Sequence, residues 1–148
     1  MYSAIDVANY VVNFSLDNNQ EITNLKLQKL LYYIEAAFLV EKGESCIFQN
    51  FKCWRHGPVV PDVYTNFRVY LNKPIDEYQE QSNINSEDIE LINRVVSSNF
   101  RFNPWELVDR THEEDPWLKT NSNETITKSK IREYFLLSDN RRRIYGDN

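Results

Sequence analysis

At 148 residues, with 41% apolar and 14% aromatic content, the chain can bury one sizeable core and is too apolar to be disordered. Three glycines and five prolines argue against a turn-rich all-β fold and against long flexible linkers. A formal charge of -5 excludes a whole-body basic field for gripping a phosphate backbone, so a nucleic-acid partner is not expected.

In chain order, Ser3 is an N-cap candidate for a first helix over Ala4–Asp17, with Ile5, Ala8, Val12 and Leu16 at helical spacing. Thr23 can cap a second helix that Gly43 closes. Leu27, Leu30, Leu31, Ile34 and Phe38 form one apolar face, while Leu25, Tyr32, Tyr33, Ala36, Ala37 and Leu39 make the other sides apolar too. A helix of this kind lies inside a core or against a partner. Between Ser45 and Arg55 the β-formers Ile47, Phe48, Phe51, Cys53 and Trp54, split by Gln49-Asn50, suggest a small hairpin or two extended segments.

Trp54-Arg55-His56-Gly57-Pro58-Val59-Val60-Pro61 then reads as an irregular connection with a closely specified backbone. Gly57 can take positive φ, and Pro58 and Pro61 fix theirs. Such a loop is a place for recognition, or else a stiff helix–helix corner over a buried Trp54. A third helix follows Pro61, with Val63, Phe67, Val69 and Tyr70 as its apolar positions. Residues 72–85 form a polar, acidic connection. The next helix starts at Ser86, with Ile89, Ile92, Val96 and Phe100 as its stripe. Asn103-Pro104-Trp105-Glu106 combines N-cap, proline at N1 and a capping-box glutamate; that helix carries Leu107 and Val108 and ends near His112. A last helix covers about 127–137, with Ile131, Tyr134 and Phe135, before a basic tail containing Arg141-Arg142-Arg143. The fold class expected is mainly α: a single-domain bundle of about six helices, with a small hairpin or extended segment near 45–55. Residues 1–138 form the domain and 139–148 the tail.

Chemistry is sparse. Cys53 and His56 have the spacing of half a zinc site, which Cys46 and His112 would have to complete without a second close pair. His112-Glu113-Glu114-Asp115 opens like a zincin helix, but position 116 is Pro instead of the second His. No nucleophile elbow or phosphate-cradling loop is present. His112 with Asp115 could form an acid–base pair, or simply tie a helix end to the next turn. Lys128, Lys130, Arg132 and Arg141–Arg143 give the C-terminal region a basic bias that reads as a solvated face and tail. No metal, cofactor or catalytic residue is assigned. No run reaches the ~18 apolar residues that cross a bilayer, and residues 1–10 lack the features of a signal peptide. The expectation is therefore a cytoplasmic protein with reduced thiols and no membrane contact.

Thr23-Asn24-Leu25-Lys26-Leu27-Gln28-Lys29-Leu30-Leu31-Tyr32-Tyr33 resembles the opening signature of the Panacea (SocA-like, GepA-like) antitoxin domains. Trp54 to Pro61, with Val63-Tyr64, is similar to their second block, where the family often has Tyr in place of His56. Leu107-Val108, Thr111-His112 and Asp115-Pro116-Trp117 resemble the third, and Ile131, Tyr134 and Phe135 the closing helix. On this resemblance Leu27, Gln28, Lys29, Leu30, Tyr32, Tyr33, Gly57, Pro58, Pro61, Thr111, His112, Asp115 and Pro116 are signature positions. The resemblance implies a mainly helical, non-enzymatic antitoxin of bacteria or prophages that binds and neutralises a toxin encoded beside it. The alternatives are an adaptor delivering the toxin to a cytosolic protease, or a phage accessory or DNA-binding regulator. A protease or chaperone and a second copy of the chain are further partner candidates. Trp54, His56, Val59, Val60, Tyr64 and Trp117 are the partner-binding candidates. Asp62, Asp76, Glu77 and Glu80 are an expected acidic rim for a basic toxin.

Overall fold

The second helix decides the architecture. Its sequence is apolar on every side, and in the computed structural model, which describes residues 1–148, every residue from Lys26 to Leu39 is buried. The other elements wrap around it. They are α1 (Ala4–Asp17), α2 (Asn24–Glu41), β1 (Phe51–Trp54), β2 (Gly57–Val59), α3 (Pro61–Phe67), α4 (Ser86–Ser98), α5 (Pro104–His112), α6 (Asp115–Leu118), β3 (Thr125–Ile126), α7 (Lys128–Leu136) and α8 (Ser138–Arg141), with short 3-10 turns at Arg68–Tyr70 and Arg142–Tyr145. Helices α1, α3, α4, α5 and α7 and strand β2 all pack on α2. The result is a mainly α single domain around one hydrophobic cluster of 34 buried residues.

Local chemistry sets the helix starts. The side chains of Ser3, Thr23 and Thr127 accept from the N–H groups of Asp6, Lys26 and Lys130. Asn103 and Glu106 complete the capping box of α5, with Pro104 at its first turn. Gly43 follows α2 at φ +72°, the left-handed conformation that ends helices.

The helices number eight rather than about six because α6 and α8 are single turns too short to show periodicity. The strands are also shifted. The expected turn at Gln49-Asn50 does not form. Instead Ile47 bridges to Tyr2, and the carboxylate of Glu35 holds the N–H groups of Cys46 and Ile47. The hairpin turns at Arg55-His56, so half of the stretch expected as an irregular connection is strand. Lys52 pairs with Val59 and Trp54 with Gly57, and β3 lies antiparallel on the other side of β1. Pro58 is accommodated because β2 is an edge strand. Helix α3 stops at Phe67, so Val69 projects into solvent at 80% exposure instead of joining the apolar stripe. Helix α4 stops at Ser98, leaving Phe100 half-buried beyond its end. The Asn99 side chain donates to the carbonyls of Val95 and Ile144.

The last ten residues pack on the body. Ile144 is buried, and Arg110 donates to the Asp147 carbonyl and the Asn148 side chain. Arg143, one of the three consecutive arginines, reaches the buried Glu114, its Nε lying 2.9 Å from Oε2. Glu114 is fully buried and also accepts from the phenols of Tyr32 (3.1 Å) and Tyr33 (2.9 Å). Burial pushes the Glu114 carboxyl up from its ordinary range, opposed by the bonds to Arg143 and the two tyrosines. Burial works against the Arg143 cation too, but the Glu114 bond and charge more than offset it and raise its pKa. Burial and the Glu114 charge hold both phenols neutral. Removing one charge of such a pair leaves the other uncompensated. Glu114→Gln is expected to destabilise the fold by about 3 kcal/mol in urea unfolding. Combining it with Arg143→Met should recover part of that loss, whereas a double variant worse than the single would contradict the pairing.

Candidate functional site

A groove of about 500 Å³ opens between the first turn of α2, the tip of the hairpin, α3 with its 3-10 extension, and the start of α5. Trp54, Arg55, His56, Val59, Tyr64, Arg68, Leu71 and Trp105 line it, with Thr23, Asn24, Leu25, Gln28, Asn72 and Pro104. Two aromatic pairs shape the walls. Trp54 meets Tyr64 edge-on with ring centroids 5.2 Å apart, and His56 meets Trp105 at 4.9 Å. Of the large hydrophobic side chains open to solvent, Tyr64 (37% exposed), Leu71 (74%) and Trp105 (55%) all face this groove. Leu71 holds φ +57°, a backbone region that leucine rarely occupies.

Two side chains of α2 hold the hairpin. Gln28 Oε1 accepts the Val60 N–H at 2.9 Å, while its amide donates to Asn24. Lys29, fully buried, donates to the Pro58 carbonyl at 3.0 Å. No carboxylate shares its site, and burial pulls the Lys29 ammonium down to about 7. Gly57 makes this approach possible. It sits at φ +109°, and a Cβ there would lie 2.7 Å from both Lys29 Cε and Thr111 Oγ1.

Four of the expected partner residues, Trp54, His56, Val59 and Tyr64, thus converge on the groove. Val60 does not line it. It is fully buried and serves as the N-cap residue of α3. Trp117 does not line the groove either; it stacks on His112 at 3.9 Å and donates from Nε1 to the Trp54 carbonyl at 2.8 Å. The signature residues Leu27, Gln28, Lys29, Leu30, Tyr32, Tyr33, Gly57, Pro58, Thr111 and Pro116 are buried. His112 and Asp115 do not form an acid–base pair. Burial lowers the His112 pKa, its Nε2 has no partner, and Asp115 pairs with Lys119 at an exposed 3.3 Å contact. Cys46 and Cys53 are free thiols, and Cys53 Sγ lies against the carbonyls of Trp117 and Thr120. No three His, Cys, Asp or Glu side chains come together as a metal site. No helix is long and apolar enough to cross a membrane.

The expected acidic rim is absent from the lining: Asp62, Asp76, Glu77 and Glu80 all lie outside it. The charged residues in the groove are Arg55 and Arg68, both exposed and neither in an ion pair. Sequence reading reached Arg55 only as part of the Trp54–Pro61 stretch and missed Arg68, Leu71 and Trp105. The one available signal was Trp105, a large aromatic in the first turn of α5 that is not part of its apolar stripe.

The fold is that of a mainly helical domain built on a buried signature helix. The model of the family "Antitoxin SocA-like, Panacea domain" matches residues 27–118, more than half of the chain, and the chain belongs to that family. Antitoxin SocA of Caulobacter vibrioides (strain NA1000 / CB15N) is 43% identical over 61 residues, which are 41% of this chain and 32% of that protein. The match thus spans about a third of the length of that curated relative. No solved structure matches the chain significantly.

The Lys29–Gly57 contact yields two expectations. Gly57→Ala should lose at least about 2 kcal/mol, read as a Tm drop of several degrees, because positive φ and the clash act together. An unchanged Tm would mean the hairpin does not approach α2 this closely. For Lys29, the folded pKa near 7 lies below the ordinary 10.5. The unfolded chain therefore binds a proton that the folded chain has released between these values, and stability rises with pH across that window. The slope should reach on the order of 1 kcal/mol per pH unit above pH 7. Lys29→Met should flatten it in urea titrations compared between pH 6.5 and 8.5, and equal slopes in the two proteins would refute the assignment.

Proposed function

We propose that this chain is an antitoxin that neutralises a protein toxin, encoded beside it, by direct binding through the groove. The observation that carries this reading is the set of exposed anchors Tyr64, Leu71 and Trp105 around Trp54, His56 and Val59, held on elements that α2 fixes from inside. Aromatic side chains on a rigid frame lose little entropy on binding, which is why they dominate interface hot spots. Membership of an antitoxin-like family supports the role, and the named relative is itself an antitoxin. Val60 and Trp117 act behind the surface, the first as part of the α3 start and the second as a prop for the Trp54 backbone. The function is non-catalytic on this reading, and it operates in the cytoplasm where the toxin is made.

Co-expression with the product of the neighbouring reading frame, followed by tagged capture and a growth assay, tests the proposal. The neighbour should be toxic alone, tolerated with this chain, and recovered with it. Tyr64→Ala and Trp105→Ala should leave stability within about 0.5 kcal/mol, as expected of exposed positions. Each should weaken capture by at least about tenfold, the scale of an interface hot spot. Rescue without a stable complex would replace direct binding by an adaptor route to a protease. A harmless neighbour would replace the antitoxin reading by that of a phage accessory protein.

A further inference from the structure

We infer that the groove receives an acidic peptide segment of its protein partner, with an apolar side chain set among Trp54, Tyr64 and Trp105 and carboxylates against Arg55 and Arg68. This rests on the reading of the groove as the partner surface and adds the chemistry of what it takes.

Charge is the first argument. The chain carries 22 acidic residues against 17 basic ones, yet the groove lining contains no acidic side chain and two arginines. Both guanidinium groups are exposed and make no ion pair or side-chain hydrogen bond within the chain. The groove walls include Thr23, Asn24 and Leu25 at the start of α2 and Pro104 and Trp105 at the start of α5. Both helices present their positive ends here, and the nearby Glu106 carboxylate is turned to the Asn103 N–H. The charged side chains that line the groove are thus all cationic in a chain of net charge -5, and such a contrast orients a partner and selects its charge.

Shape is the second. The outward edge of β2 is closed to an added strand: Lys29 occupies the Pro58 carbonyl and Gln28 the Val60 N–H. Recognition must then run through side chains. Leu71, exposed and held at positive φ on the rim, adds nothing to the core; it offers an aliphatic surface that suits a peptide better than a stacked base.

The test uses the full chain and three fluorescent probes: a peptide of about ten residues with Leu and Trp spaced among glutamates, the same peptide with lysines, and an oligothymidylate of similar length. The acidic peptide should bind saturably below about 1 mM, and at least about tenfold tighter than the lysine peptide. The combined Arg55→Glu and Arg68→Glu variant, folded by circular dichroism, should lose about tenfold, and its neutral Gln counterpart less. Raising salt from about 50 to about 500 mM should weaken the native chain and not the Glu variant. Absent saturation by the acidic peptide, equal affinity for the lysine peptide, or preference for the oligothymidylate each overturns the inference. None of these outcomes depends on whether the neighbouring gene encodes a toxin. Conversely, loss of toxin capture in Trp105→Ala but not in the arginine variants would leave the groove as the partner site and remove its acidic ligand.

Discussion

The structure depends on a single awkward requirement: a helix with no exposed side that nevertheless carries polar side chains. Lys26, Gln28, Lys29, Tyr32, Tyr33 and Glu35 are all buried on α2, and a buried polar group without a partner is costly. Each is satisfied by reaching a peripheral element, and only the two tyrosines share one. Lys26 donates to the carbonyls of Phe100 and Phe102 between α4 and α5. Gln28 takes the start of α3, Lys29 takes β2, and the tyrosines take Glu114 between α5 and α6. Glu35 takes residues 46 and 47 and pairs with Lys128 on α7. Apolar contact alone would hold these elements near α2, whereas directional bonds fix where along the helix each one docks.

That arrangement separates scaffold from surface. The hairpin is short, and two-stranded ribbons have little stability of their own. Here β1 is flanked by β3, and β2 is pinned from beneath by Lys29 at the only place where a residue without a side chain lets it come close. Trp117 adds a bond to the Trp54 carbonyl. The tip that carries Arg55 and His56 is thus held still while its side chains remain in solvent. A rigid platform with free side chains is the arrangement that limits the entropy lost on binding.

How much of this was legible in the sequence follows from the range of the interactions. Caps and periodicity act within a few residues, and the starts of α1, α2 and α5 could be read from Ser3, Thr23 and Asn103. The hairpin register could not, because it is set by α2: Glu35 ties down residues 46 and 47, and Lys29 selects Gly57 as the close-approach point. The apolar sides of α2 announced that the turn carrying Lys29 lies inside, but not which group its ammonium meets, because the Pro58 carbonyl is 29 residues away in the chain. The Glu114–Arg143 pair joins residues that read separately as part of a failed metal motif and as a basic tail. The groove combines residues from α2, the hairpin, the α3 region and α5, so its aromatic content was visible only in fragments, and its two arginines come from separate elements.

The same division bears on how such a domain could serve different partners. The buried polar residues of α2 cannot change singly without orphaning a partner group, which ties them to the fold whatever the domain binds. Arg68, Leu71 and Trp105 are under no such constraint: they are exposed, and their side chains make no hydrogen bond within the chain. Exchanging them alters the charge and shape of the groove at little expense to stability. Arg55 occupies an intermediate position. Its side chain is free, but its backbone lies in the hairpin turn ahead of Gly57 and its carbonyl faces His112. Partner choice can therefore be rewritten through side chains at the rim of a frame whose interior permits few substitutions.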